Sequence, residues 1–267
     1  MLKKTIQATL GAMMCMTALQ AGILENWSSY VWKQQPAAPT TIKVLVSQNK
    51  PGVVLEIKGK YKLYDPNTME HLSTRFIGKR KFLQALSNGI KWGEEFPGIY
   101  QLLVVPDDER STEMVDGIEY AGNLYIYDVA GQISVVNELS VEDYLDSLLS
   151  VKYDAPYPEE YLGAVAIINR TQAYNQVSNP KTKYWNVDGV KVGYEGYAAA
   201  QKQNGVDKAL NTTRNMIMTI NDQPFDASWE NAKIKPLDAE RLAKAGETAA
   251  QILNKAFPGM TLKVIGQ

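Results

Sequence analysis

Between Asp143 and Ala173 the chain reads DYLDSLLSVKYDAPYPEEYLGAVAIINRTQA. A cation, a phenol and a carboxyl stand side by side at Lys152, Tyr153 and Asp154. Pro156 and Pro158 follow, then Glu159 and Glu160, and a helix's length further on, Arg170. A plain hinge between two helices needs none of this chemistry. Asp154 and Glu160 are the acids nearest the lysine, and each also has an ordinary reading. Asp154 suits a turn in which its carboxylate satisfies local amides. Glu160 suits the positive end of a helix dipole. Lys152 is a cation at neutral pH unless burial lowers its proton affinity.

The elements that must position these residues are legible in the periodicity. "SVED" at Ser140–Asp143 is a capping box, the serine hydroxyl accepting from the Asp143 amide. Leu145, Leu148 and Leu149 then form a helical stripe. The two prolines end that helix and start the next, with Pro158 near its first turn. In the second helix Leu162, Val165, Ala166 and Asn169 share one face, and Tyr161, Ala164, Ile168 and Thr171 lie on another. A helix apolar on more than one side belongs at the centre of a fold.

Upstream, from Ile42, the segments IKVLVS, GVVLEIKG, KYKLYD, IYQLLVV, IEYAGNLYIYDV and QISVVNEL alternate or carry β-branched runs, as strands do. Ala130-Gly131 reads as a hairpin tip. Downstream, a polar segment from Gln176 to Gly193 leads to a helical stretch broken at Asn204-Gly205. A hairpin turning at Asn221-Asp222 follows, then an amphipathic helix with Gly246 as an interruption, then MTLKVI as a strand. The expected fold is α+β: a strand-rich N-terminal portion packed on a central helical pair, with a C-terminal hairpin and amphipathic helix.

Composition bounds the partners. The chain has 267 residues, 45% hydrophobic and 21% charged, with a net charge of −1. It lacks the basic footprint of a nucleic-acid binder. "MLKK", an apolar stretch and Ala21 read as a signal peptide over residues 1–21. The stretch is interrupted by Gln7, Thr9 and Thr17, which disfavours a retained membrane anchor. Residues 22–41 read as a proline-bearing linker, and 42–267 as the folded domain, exported to the periplasm or cell envelope. Cys15 is the one cysteine and lies in the signal segment, and Met13 and Met14 disfavour a lipid-anchored cysteine there. The mature chain then has no thiol, so disulfides and thiolate metal sites are excluded. His71 is the one histidine and cannot build a zinc site alone. No metal and no cofactor are expected.

From Val135 onward the chain resembles the SpoIID/LytB family, the stage II sporulation protein D and amidase-enhancer group. The block NELSVEDYLDSLLSVKYDAPYPEEYLGAVAIINRTQA follows the family's active-site pattern without a gap. Asn137, Glu142, Asp143, Tyr144, Leu145, Pro158, Glu160, Leu162, Ala164, Ala166, Arg170, Thr171 and Ala173 fall in place. ALNTTRNMIMTINDQPFDA and AKAGETAAQILNKAFPG resemble two later family segments in the right order. The resemblance implies a SpoIID-like fold and an envelope protein working on peptidoglycan.

It also implies a chemistry. The family's better-known members resemble lytic transglycosylases that cut peptide-free glycan strands with one glutamic acid. That residue protonates the leaving oxygen and then assists attack by the sugar's own hydroxyl. Here Lys152 occupies the glutamate's position, and the flanking prolines have become Ser150 and Asp154. A protonated lysine cannot run a carboxylate cycle, which leaves Asp154 and Glu160 as candidate acids. Arg170 matches the family's substrate arginine. Tyr153 and Tyr194 are flat and amphipathic enough to pack on a pyranose face, and ordinary core packing is the competing reading for both. The implied partner is the peptidoglycan glycan strand, with an amidase or divisome protein as a further candidate. Three activities stay open: a glycan-cutting enzyme, a non-catalytic glycan-binding or amidase-enhancing protein, and a structural envelope module.

Overall fold

The alternation in Gly52–Lys58 places Val53, Leu55 and Ile57 in the interior and their neighbours nearer solvent, as a half-buried strand requires. Such strands build most of the molecule. The computed structural model describes residues 40–76, 78–108, 111–197 and 205–266. The expected signal peptide and nearly all of the expected linker lie outside the described residues.

Seven strands form one sheet, in the order β13 (Val187–Asp188), β1 (Thr41–Lys50), β12 (Gln132–Ser140), β11 (Asn123–Val129), β8 (Gln101–Pro106), β3 (Tyr61–Tyr64) and β4 (His71–Arg75). All its pairs are antiparallel except β1 with β13. A second, six-stranded sheet runs β10 (Ile118–Ala121), β9 (Thr112–Val115), β2 (Gly52–Lys58), β5 (Gly78–Leu86), β6 (Gly89–Trp92) and β7 (Glu94–Pro97). One apolar core joins the inner faces of both sheets to the helices.

The β11–β12 hairpin turns at Ala130 and Gly131, both at positive φ, which only a primed turn demands. The segment Ile118–Val129 is two strands rather than one, because Gly122 at φ 101° breaks it where an added Cβ would collide with the Glu138 carbonyl. Strands β4 to β7 and β9 were not expected. Their charged stretches, such as Lys79-Arg80-Lys81, mask the alternation.

The helical half follows the expected order. Helix α1 (Val141–Lys152) starts at Ser140, whose hydroxyl oxygen accepts from the Asp143 amide at 3.1 Å. Its O–H donates to the Asp143 carboxylate at 2.6 Å. Helix α2 (Glu159–Ser178) is buried on most sides, from Tyr161 to Ala173. The short α3 (Gly189–Val192) follows, and α4 (Val206–Thr212) begins after Gly205 at φ 85°. The first part of the helix expected before that break lies outside the described residues. The Asn221-Asp222 turn closes a single bridge, Ile220 with Gln223. The ladder partner of β14 (Met216–Thr219) is instead the C-terminal strand β15 (Thr261–Val264). The expected terminal helix is two helices, α5 (Pro236–Lys244) and α6 (Ala249–Ala256). They are split at Gly246, and α6 is restarted by a Thr248–Gln251 capping box. Among the described residues no helix is long and apolar enough to cross a membrane.

Candidate functional site

Helix α1 ends as Tyr153 leaves helical geometry, its N–H still bonded to the Leu149 carbonyl at 2.8 Å. Pro158 then caps α2. The turn between them exposes Lys152 and Asp154. Although Lys152 is exposed, the protein around its amine excludes enough water to lower its pKa below the ordinary lysine value.

The next residue, Tyr153, opens a cluster of rings. Tyr153 meets Tyr157 at 5.4 Å and Tyr161 at 6.1 Å, and Tyr157 meets Tyr161 at 5.6 Å. Trp229 stacks on Tyr161 at 6.3 Å with planes 18° apart. Tyr161 is buried, whereas Tyr153, Tyr157 and Trp229 are half-buried and keep part of each ring accessible. Burial raises the Tyr153 phenol above its usual pKa, partly offset by its contacts with Tyr161 and Trp229. Rings flanked by polar groups are suited to sugar faces, where an apolar body and a polar tip are both used.

Arg170 is not part of that surface. It is 0% exposed, and its five N–H donors are all engaged. Nε and Nη2 clamp the two Glu142 oxygens at 2.6 and 2.7 Å. Nη1 donates to the Thr213 carbonyl at 2.9 Å, with longer contacts to the Thr213 hydroxyl and the Met216 carbonyl. Nη2 also reaches the Leu210 carbonyl at 3.3 Å. A guanidinium so enclosed offers nothing to a substrate. It ties α2 to the start of α1 and to the segment joining α4 to β14, so the substrate role expected for Arg170 is corrected to a structural one.

Tyr194 is corrected in the same way. It is buried between Tyr120 and Tyr144, with ring centroids 6.0 and 5.7 Å away. Its hydroxyl donates to Asn137 Oδ1 at 2.9 Å. Asn137 in turn donates to the Ala121 and Asn123 carbonyls, holding the Gly122 break between β10 and β11. Glu160, one of the two candidate acids, accepts from the Ala249 amide at 2.6 Å and so braces the first turn of α6. Asp154 stays exposed in the turn beside Lys152. Lys152, Tyr153 and Asp154 follow one another at the end of α1, whereas Arg170, Tyr194 and Glu160 are engaged elsewhere in the fold.

Three residues were passed over in the sequence, the first being Tyr157 between Pro156 and Pro158. Trp229 sits in SWENAKIKP, where the chain departs from the family pattern, and an aromatic residue in a divergent segment was the available signal. Asp146 is half-buried, and burial raises its pKa; Asp207 and Asp143 add to that, and the Ser150 hydroxyl opposes it. Six residues before Lys152, Asp146 points about 120° away around the helix and does not share the turn. Among the described residues no group of three or more His, Cys, Asp or Glu could hold a metal ion.

This geometry meets an independent comparison. A family model described as SpoIID, Stage II sporulation protein, matches residues 129–220, the span from the end of β11 to the tip after β14. An uncharacterized protein of Chlamydia pneumoniae is 33% identical over 236 residues, covering 87% of this chain and 85% of that protein. An uncharacterized protein of Chlamydia muridarum is 32% identical over 226 residues, covering 84% and 77%. One from Brachyspira hyodysenteriae is 29% identical over 175 residues, covering 65% and 46%. No solved structure matches the chain. The matched helical block marks a SpoIID domain within an α+β chain. The chain belongs to the SpoIID family, and its role is cell-wall-related.

Proposed function

We propose that this protein, exported to the cell envelope, binds peptide-free glycan strands of peptidoglycan over Tyr153, Tyr157, Trp229 and Lys152, without cutting them. One observation carries this reading: an exposed lysine stands where the family keeps its glutamic acid. Acid catalysis of glycoside cleavage needs a carboxyl held protonated by an apolar enclosure. Asp154 is open to water, and Glu160 is committed to the Ala249 amide. Lys152 supplies instead a cation beside aromatic faces, which suits recognition of the lactyl carboxylate of a muramic-acid sugar. An amidase or divisome enzyme is the partner class whose substrate such binding would present.

The test is to incubate the protein with stripped glycan strands and measure both affinity and 1,6-anhydro ends. Saturable binding with no new ends supports the reading. Binding lost in a Tyr153→Ala, Trp229→Ala double variant that stays folded assigns it to this face. New ends from the wild type would restore the cutting activity, with Asp154→Ala then deciding whether the acid has moved. Neither binding nor cutting would leave a structural envelope module.

A further inference from the structure

The second sheet and the far edge of the first enclose another site, outside the residues matched to the family. Along β5 the buried Leu83 is preceded by the exposed Lys81 and Lys79. Lys81 lies over Gly93, at φ 74°, filling the space a Cβ there would need. Trp92 is paired with Leu83 and is 3% exposed. From the other sheet come Tyr61 and Arg75, which are cross-strand partners on β3 and β4. The Tyr61 and Trp92 rings meet at 5.6 Å. Together these five residues line a cavity of about 250 Å³.

The charges in this cavity are unbalanced. Arg75 donates from Nε to the Ser73 hydroxyl at 3.1 Å and pairs with Glu94. Among the described residues neither Lys79 nor Lys81 has an ion-pair partner. Two positive charges are therefore in excess. The Trp92 indole N–H is enclosed and has no hydrogen-bond partner among the described residues. Lys50 pairs with Asp116, Lys58 with Glu119, and Lys60 and Lys62 with Asp107, whereas among the described residues Arg80 on β5 also lacks an acidic partner.

We propose that this cavity binds a phosphate monoester. An excess of two charges matches a dianion rather than a single carboxylate. Two mobile ammonium groups supply that charge, the Arg75 guanidinium being already paired with Glu94. The site is independent of the glycan-binding face and needs none of its residues.

The test uses the full chain labelled with ¹⁵N at its tryptophans and titrated with inorganic phosphate at low ionic strength, where surface charges are least screened. The Trp92 indole resonance, assigned by its loss in Trp92→Phe, should shift saturably. Acetate at matched ionic strength should shift it less at every concentration. Lys79→Ala with Lys81→Ala, both at exposed positions, should weaken phosphate binding by about tenfold or more, and Lys79→Arg with Lys81→Arg should retain it. The arginine pair serves as the control should the alanine pair fold poorly. An unmoved Trp92 resonance, equal responses to phosphate and acetate, or undiminished binding by a folded alanine pair would each overturn the assignment.

Discussion

Glu113 shows how one residue can set the pH response of the whole fold. It lies on β9 opposite Ile57 and Tyr120, is 0% exposed, and among the described residues has no hydrogen-bond partner for either carboxyl oxygen. Burial pushes its pKa up to about 9, so the folded state keeps a proton that the unfolded chain releases near the ordinary value. A raised carboxyl pKa means the native state binds more protons, so stability is greatest at low pH and falls as pH rises toward the folded value. The cost from below the ordinary carboxyl pKa to neutrality is about 3 kcal/mol. Thermal unfolding followed from pH 5 to 8 should show a falling melting temperature, and Glu113→Gln should flatten that slope. Parallel curves for the two proteins would contradict the burial argument. Arg170 makes a second prediction at this scale. Arg170→Ala strands Glu142 and three backbone carbonyls, and removing one partner of a buried pair costs about 3–5 kcal/mol. Denaturant unfolding checks this. A variant of wild-type stability that loses only glycan affinity would return the arginine to the substrate.

At the scale of elements, α2 is the piece everything else is built around. Ala166 sits with Leu149, Tyr153, Leu162, Val165, Val206 and Ala209 in a seam between α1, α2 and α4 that has no room for a water molecule. Ala166→Leu should therefore overpack it, at about 1–3 kcal/mol. A melting curve like the wild type's would show the seam to be slack. The helices were legible in the sequence because their signals are local: the Ser140 box, the two prolines, the stripes of α2, the Gly246 break. The strands with alternating apolar residues were legible too. Those of β4 to β7 were not, since Lys79, Arg80 and Lys81 stand in a strand whose inner face runs beyond the core. Pairing β14 with β15 across the intervening helices is a non-local outcome that the Asn221-Asp222 turn signal could not convey.

Across the whole molecule, the residues that carry the family resemblance are mostly scaffold. Asn137, Tyr144, Leu145, Leu162, Ala164, Ala166, Arg170, Thr171 and Ala173 are buried. Thr171 accepts from the Met218 amide at 2.8 Å and binds α2 to β14. A pattern made of such positions identifies a fold far better than an activity. That is why the family was readable from the sequence, and why Arg170 and Tyr194 were misplaced: a motif residue's burial depends on contacts that the motif does not contain. The proposed activity rests on the few positions in the turn that face solvent, where Lys152 stands at the place the family resemblance gives to an acid. The most direct measurement compares the wild type with Lys152→Glu on peptide-free glycan strands, scoring bound strand and 1,6-anhydro ends. The account predicts that the wild type binds and forms no new ends, while the variant, given the family's acid, begins to form them. New anhydro ends from the wild type at a rate that Lys152→Glu leaves unchanged would contradict it.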